Sequence, residues 1–247
     1  MQLHKLLSVL IVLAASATSY AAPLDIVGIK VGMPADEAIK VLKAHNPQLT
    51  FSNLEGTFSE LPGQKVLRYI FAVDPNRETF QIEIALPPGP PIVTAVYRHL
   101  SIKQGQEPTR DNVLASLREK YGREAFKTWP EVYFWHFDSA GRPVPKYDVC
   151  HQEFNSLNDR VRAGQQISYS AQHIALLQQR AQKCGSVVGV SLHLANPQLV
   201  GGMSMLVSDE QLTADRHKAT TEFLLRAAEQ AKKQQIKDAD KRSGPKL

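Results

Sequence analysis

The chain has 247 residues, 43% hydrophobic, 7% aromatic and 21% charged, which is enough apolar content for a buried core and excludes a fibrous repeat or a wholly disordered chain. Lys plus Arg number 29 against 24 Asp plus Glu, a net charge of +5, but Lys5 and the stretch from Arg226 to Leu247 hold nearly all of the excess. The body between them is neutral, which argues against a nucleic-acid-binding domain, because neutralising phosphates needs a basic face on the folded part.

Residues 1–21 read as a cleavable secretory leader. His4 and Lys5 form a short basic start, Leu6 to Ala15 an apolar run, and Ser19-Tyr20-Ala21 offers small residues at the cleavage positions. The competing reading is a retained N-terminal anchor, but an apolar run of about ten residues is too short for a hydrocarbon core of about 30 Å. No cysteine lies near the cut to carry a lipid, and no second stretch of about 20 apolar residues follows. The expected location is therefore the periplasm of a Gram-negative bacterium or the exterior, with no transmembrane segment in the mature chain. Cys150 and Cys184, the only cysteines, are expected to form one disulfide in that oxidising setting. The competing role, a reactive Cys150 thiol with His151 as its base, rests on sequence adjacency alone.

A first unit is expected over residues 22–104. Leu24 to Ile29 alternates weakly and leads into a helix that starts at Pro34, carries Asp36 and Glu37 in its first turn, aligns Ala38, Ile39, Val41 and Leu42, and stops before Pro47. Four strands follow at Leu49–Phe51, Lys65–Val73, Thr79–Leu86 and Ile92–Ile102, separated by Pro- and Gly-rich turns. A second unit, 105–208, begins in the same way. Thr109 should cap a helix that Gly122 ends near Tyr121. Strands are then expected over Glu131–Phe137, Ser186–Leu194 and Leu199–Val207, with an insert between the two cysteines that has helical spacing from Tyr169 to Lys183. Residues 209–247 read as a long helix to about Lys237 and a basic tail. Beyond Ala228 the pattern is almost wholly polar, so the helix should leave the body there and the last ten residues should be disordered. The fold class is α+β, antiparallel sheet packed by helices, with duplication of a helix-plus-meander unit as one reading.

The motifs point to binding more than to chemistry. Gly201-Gly202-Met203-Ser204-Met205 is near a hydrolase serine turn but lacks the glycine that the pattern requires two residues after the serine. His136 with Asp138, two apart on a strand, is expected to lie on a solvated face rather than in a triad. Histidines are scattered with no metal-ligand spacing, and no metal or cofactor is expected. Trp129 to Phe137 concentrates aromatic surface. On a strand, Tyr133 and Trp135 share one face and Phe134 the other, so one side should pack the core while the other serves as a binding surface, with Tyr133, Phe134 and Trp135 as the candidate residues.

The order strand, Gly28-Ile29, Val31-Gly32-Met33, then a helix with acidic residues in its first turn resembles the opening of SmpA/OmlA (BamE-like) domains, small exported units with helices on an antiparallel sheet. The tandem layout with a cysteine pair is also similar to that of secreted β-lactamase-inhibitor proteins. What the resemblance implies is protein binding through a sheet face, although the lipid-bearing cysteine of the first family is absent and the insert from Pro143 to Lys183 has no counterpart. The expected function is a non-enzymatic protein-binding or cell-envelope assembly module whose partner is another envelope protein, with weak anionic-surface contact by the tail. The alternatives are a periplasmic hydrolase using Cys150 and His151 or His136 and Asp138, and a purely structural protein.

Overall fold

The computed structural model describes residues 24–58, 61, 63–128, 130–144, 175, 178–179, 181–183 and 185–241. The leader, Cys150, His151, Cys184 and residues 242–247 lie outside the described residues. The molecule is α+β. A two-stranded hairpin, an eight-stranded antiparallel sheet and three helices account for most of what is described.

The hairpin, β1 (Asp25–Ile26) and β2 (Ile29–Lys30), turns through Val27 and Gly28, both at positive φ, the geometry of the tightest β-turns. The Asp25 carboxylate accepts the Gly28 amide at 2.9 Å. Helix α1 (Ala35–His45) follows Pro34 and buries Ala35, Ala38 and Leu42, with acidic residues in its first turn and Lys43 and His45 in its last, each sign matched to the helix dipole. Strands β3 (Thr50–Thr57), β4 (Lys65–Asp74), β5 (Glu78–Ile84) and β6 (Val93–Ser101) then run as a meander. Helix α2 (Arg110–Tyr121) is capped by Thr109, whose hydroxyl accepts the Asn112 amide, and ends at Gly122 with φ 80°. After it come β7 (Phe126–Thr128), β8 (Val132–Phe137), β9 (Ser186–Leu194) and β10 (Val200–Asp209).

The sheet order is β3-β4-β5-β6-β10-β9-β8-β7. Each run of four strands fills one half from the edge inward, and the last strand of each run meets the other at the centre. The same hydrogen bonds tie each helix to its own run. Ala35 donates to Pro91 and Val93 to Met33, while Arg110 donates to Gln198 and Val200 to Pro108. The pair Arg98–Met205 lies at the midpoint of the β6–β10 junction.

Because side chains alternate along a strand, register sorts the sheet into two faces. One face presents Ile70, Ile82, Val96, Val207, Val188 and Trp135 in a line across six strands. These residues join Leu42 of α1 and Leu114, Leu117 and Tyr121 of α2 in one buried cluster, each large aliphatic side chain contributing about 1.5–3 kcal/mol by leaving water.

Helix α3 (Glu210–Ala239) starts where β10 ends, with the Asp209 carboxylate accepting the Leu212 amide at 2.8 Å. It crosses the other face, where Thr213, Arg216, His217 and Thr220 look across a cavity of about 10 Å³ at Tyr69 and Glu83, room for about one water. Leu224 is its last buried residue, and from Ala228 onward nearly every position is exposed. The helix therefore leaves the body where its apolar pattern ends, and it continues through Asp238 and Ala239, two residues expected to be disordered. No helix among the described residues is long and apolar enough to cross a membrane.

Candidate functional site

The aromatic strand β8 does not offer an open face. Tyr133, Phe134 and Trp135 are 2%, 4% and 1% exposed, which corrects the expectation that one side of this strand forms a binding surface. Helix α2 covers one side, and the aromatic ring of the neighbouring strand β7 packs beside the other. Trp135 donates its indole N–H to the Gly122 carbonyl at the end of α2, at 2.7 Å, and packs on Tyr121. The Tyr133 hydroxyl donates to the Glu131 carboxylate, which also takes Lys127 at 2.8 Å. Phe134, on the opposite side, stacks on Phe126 with ring centres 4.7 Å apart.

Nor do the hydrolase candidates assemble among the described residues. His136 is buried beside Phe126 and Phe134 rather than on a solvated face. Asp138 closes its own turn, its carboxylate accepting from the Ala140 and Arg142 amides and from the Arg142 guanidinium. Those Arg142 contacts, the backbone one foremost, hold the Asp138 carboxyl below its usual range.

Two other polar clusters occupy the sheet. The first is buried on the helix-covered face. Glu78, its side chain fully enclosed, takes Arg98 through Nε at 2.9 Å and Nη2 at 2.5 Å, His45 at 3.1 Å and the Asn46 amide at 3.1 Å. Burial pushes the Glu78 carboxyl up, but the donors from Arg98, Asn46 and His45 together outweigh it and bring the carboxyl below the usual range. His45 and Asn46 stand at the end of α1, so the cluster fastens the helix terminus to β5 and β6.

The second cluster lies on the opposite face, beyond the part that α3 crosses. Register places Val73, Thr79, His99, Ser204, Ser191 and Val132 in one row across β4, β5, β6, β10, β9 and β8. All except Ser204 are half-buried, and His193, two residues beyond Ser191, is exposed. Three side chains converge on the Ser204 hydroxyl: Tyr97 donates to it at 3.0 Å, His99 Nδ1 lies at 3.1 Å and His193 Nε2 at 3.0 Å. The two imidazole centres are 5.4 Å apart. On its far side, His99 Nε2 lies 3.5 Å from the Ser101 hydroxyl.

The valence of that hydroxyl defines the protonation pattern. Ser204 has one proton to give and two lone pairs to offer. With Tyr97 donating, the closed arrangement has one ring donating an N–H to the Ser204 oxygen and the other accepting the serine proton, so the accepting ring is neutral. Burial, and secondarily the neighbouring His99, keep the His193 ring below the ordinary imidazole range, which favours that state at neutral pH.

A serine beside a histidine is the first requirement of a nucleophile. Here both rings meet only hydroxyls, and Ser204 stands in mid-strand, where β10 pairs on both sides with β6 and β9. Its backbone amides are committed to those ladders and are not aimed at a developing oxyanion. What the arrangement presents outward is a patch of hydroxyl and imidazole groups on a rigid platform. Sequence reasoning places Ser204 on a strand but cannot pair that strand with β6, since His99 lies 105 positions away. Alternation on β6 could have put Tyr97, His99 and Ser101 on one face, but nothing local pairs that strand with β10.

No family model matches the chain, and no curated protein or solved structure matches it.

Proposed function

We propose that the protein is an exported, non-enzymatic binding or cell-envelope assembly module that captures another envelope protein on the open face of its sheet, centred on Tyr97, His99 and His193. The observation that carries this reading is the position of that patch. It sits at the junction of the two strand runs, on the sheet face opposite α1 and α2 and beyond the α3 contact with Tyr69 and Glu83, and it is polar, aromatic and fixed in place by strands on both sides. Aromatic and imidazole groups on a rigid surface suit protein recognition, since they contribute contact area with little side-chain entropy to lose. The likeness to tandem inhibitor proteins and to BamE-like domains belongs to the same reading, supported by the matching helix-to-strand hydrogen bonds of the two halves.

The experiment is site-specific photo-crosslinking in intact cells, with the probe at Thr79 or Ser101 on the open face and at Lys40 on α1 as the control, followed by fractionation. The expected result is one crosslinked envelope protein from the sheet positions only, lost when Tyr97 and His193 are both replaced by alanine while the melting temperature holds. Equal crosslinking from Lys40, or capture indifferent to the double replacement, refutes the reading.

A further inference from the structure

We propose that His99 and His193 form a binding site for one divalent transition-metal ion, Zn²⁺ or Cu²⁺, at the position where their ring nitrogens converge. This goes beyond the binding reading above and does not depend on it. Imidazole is a good ligand for these ions, at about 2.0–2.1 Å from nitrogen to metal, and two imidazoles held at a tetrahedral angle on one ion have ring centres about 5 Å apart. The His99 and His193 ring centres are 5.4 Å apart. Their facing nitrogens, Nδ1 and Nε2, already point at a common target, the Ser204 oxygen, from 3.1 and 3.0 Å. The rings project from β6 and β9, the two strands that flank β10, so the sheet fixes their spacing with Ser204 between them.

The protonation pattern favours the ion. Since Ser204 can donate to only one ring, one nitrogen already presents a lone pair to the site, held only by the serine proton that an ion would displace, and the other can present one by moving its proton to the far nitrogen. For His99 that far nitrogen faces the Ser101 hydroxyl at 3.5 Å, an outer contact of the kind that fixes the tautomer of metal-bound histidine. Among the described residues no carboxylate is hydrogen-bonded to either ring, and no group of three or more His, Cys, Asp or Glu side chains is placed to hold a metal. Among the described residues the site is therefore a two-ring one, with its remaining positions left to water or an incoming ligand.

The test is calorimetric titration of the purified protein with ZnCl₂ and, separately, CuCl₂ at neutral pH, with imidazole NMR signals followed in parallel. One ion per chain is expected, with shifts at His99 and His193 and a loss of about tenfold or more in affinity for either His99→Ala or His193→Ala. Both variants should keep the wild-type melting temperature, since these rings are not core. Ser204→Ala removes the competing hydroxyl and should bind at least as tightly as the parent. Lowering the pH should weaken binding, because protons compete for the same lone pairs. No binding, or binding that survives both histidine replacements, overturns the proposal, as does loss of binding in a folded Ser204→Ala protein. Because no partner is present in the titration, its outcome is independent of the crosslinking result.

Discussion

At the residue scale, the Glu78 cluster places an ion pair inside the described core. Its carboxylate is enclosed, and its partners Arg98 and Asn46 are themselves buried. Removing one member of a buried ion pair leaves the other charge without compensation, at a cost of about 3–5 kcal/mol. Glu78→Ala should therefore lower stability by that order in chemical denaturation, while exposed His193→Ala changes it by no more than about 0.5 kcal/mol. The sign of the pH effect follows from the same contacts. The folded-state pKa of Glu78 lies below its ordinary 4.5, so its contribution is fully present above about 4.5 and is lost as pH falls through the lower folded value. Glu124, brought down to about 2 chiefly by its hydrogen bond from Arg118, acts in the same direction. Acid titration of unfolding should show stability falling below pH 4.5, with a shallower fall in Glu78→Gln.

At the element scale, α3 has two parts with different physics. Its first four turns bury Thr213, Ala214, His217, Thr220 and Leu224 and carry the contact from Arg216 to the Pro88 carbonyl at 3.2 Å. Its last part is surrounded by water, with Ile236 54% exposed, and is held by local contacts such as Gln234 to Asp238. Proline within a helix removes a backbone bond and clashes with the preceding turn, costing about 3 kcal/mol or more where packing depends on that turn. Thr220→Pro is expected to lower the melting temperature sharply. Ala231→Pro should reduce the far-UV helical signal while leaving the tertiary melting transition in place. An equal drop for both would mean that the projecting segment packs on the body.

At the scale of the whole molecule, one continuous sheet joins the two halves. The β6–β10 junction pairs seven residues directly, and Lys120 and Tyr121 of α2 reach back to the Asp25 carbonyl of the first hairpin, each at 3.0 Å. Neither half can open without exposing a central strand edge, so the halves are expected to unfold together. Thermal melts followed by tryptophan fluorescence, which reports Trp129 and Trp135, both in the second half, and by far-UV circular dichroism should coincide. Separated midpoints would show that the halves are independent units.

Much of the element layout was legible locally. The cap at Thr109, the stop at Gly122, the alternation of Ser186 to Leu194 and the fading apolar pattern after Ala228 each act within a few residues, and each sits where the sequence places it. The tight β1–β2 hairpin, the three-residue β7 and the extension of β3 through Ser52, Asn53 and Glu55 were not legible. Strands so short, or so polar at an edge, carry no periodicity of their own and exist because a neighbour supplies the other half of the ladder. The candidate site belongs with them. Composition and spacing alone determined an α+β chain with a neutral body and a projecting helix. Which face of β8 stayed dry, and which distant residues met at Ser204, only the tertiary structure decided, because strand order and register arise from the summed pairing of the entire sheet, and a one-residue slip would turn every one of these side chains to the opposite face.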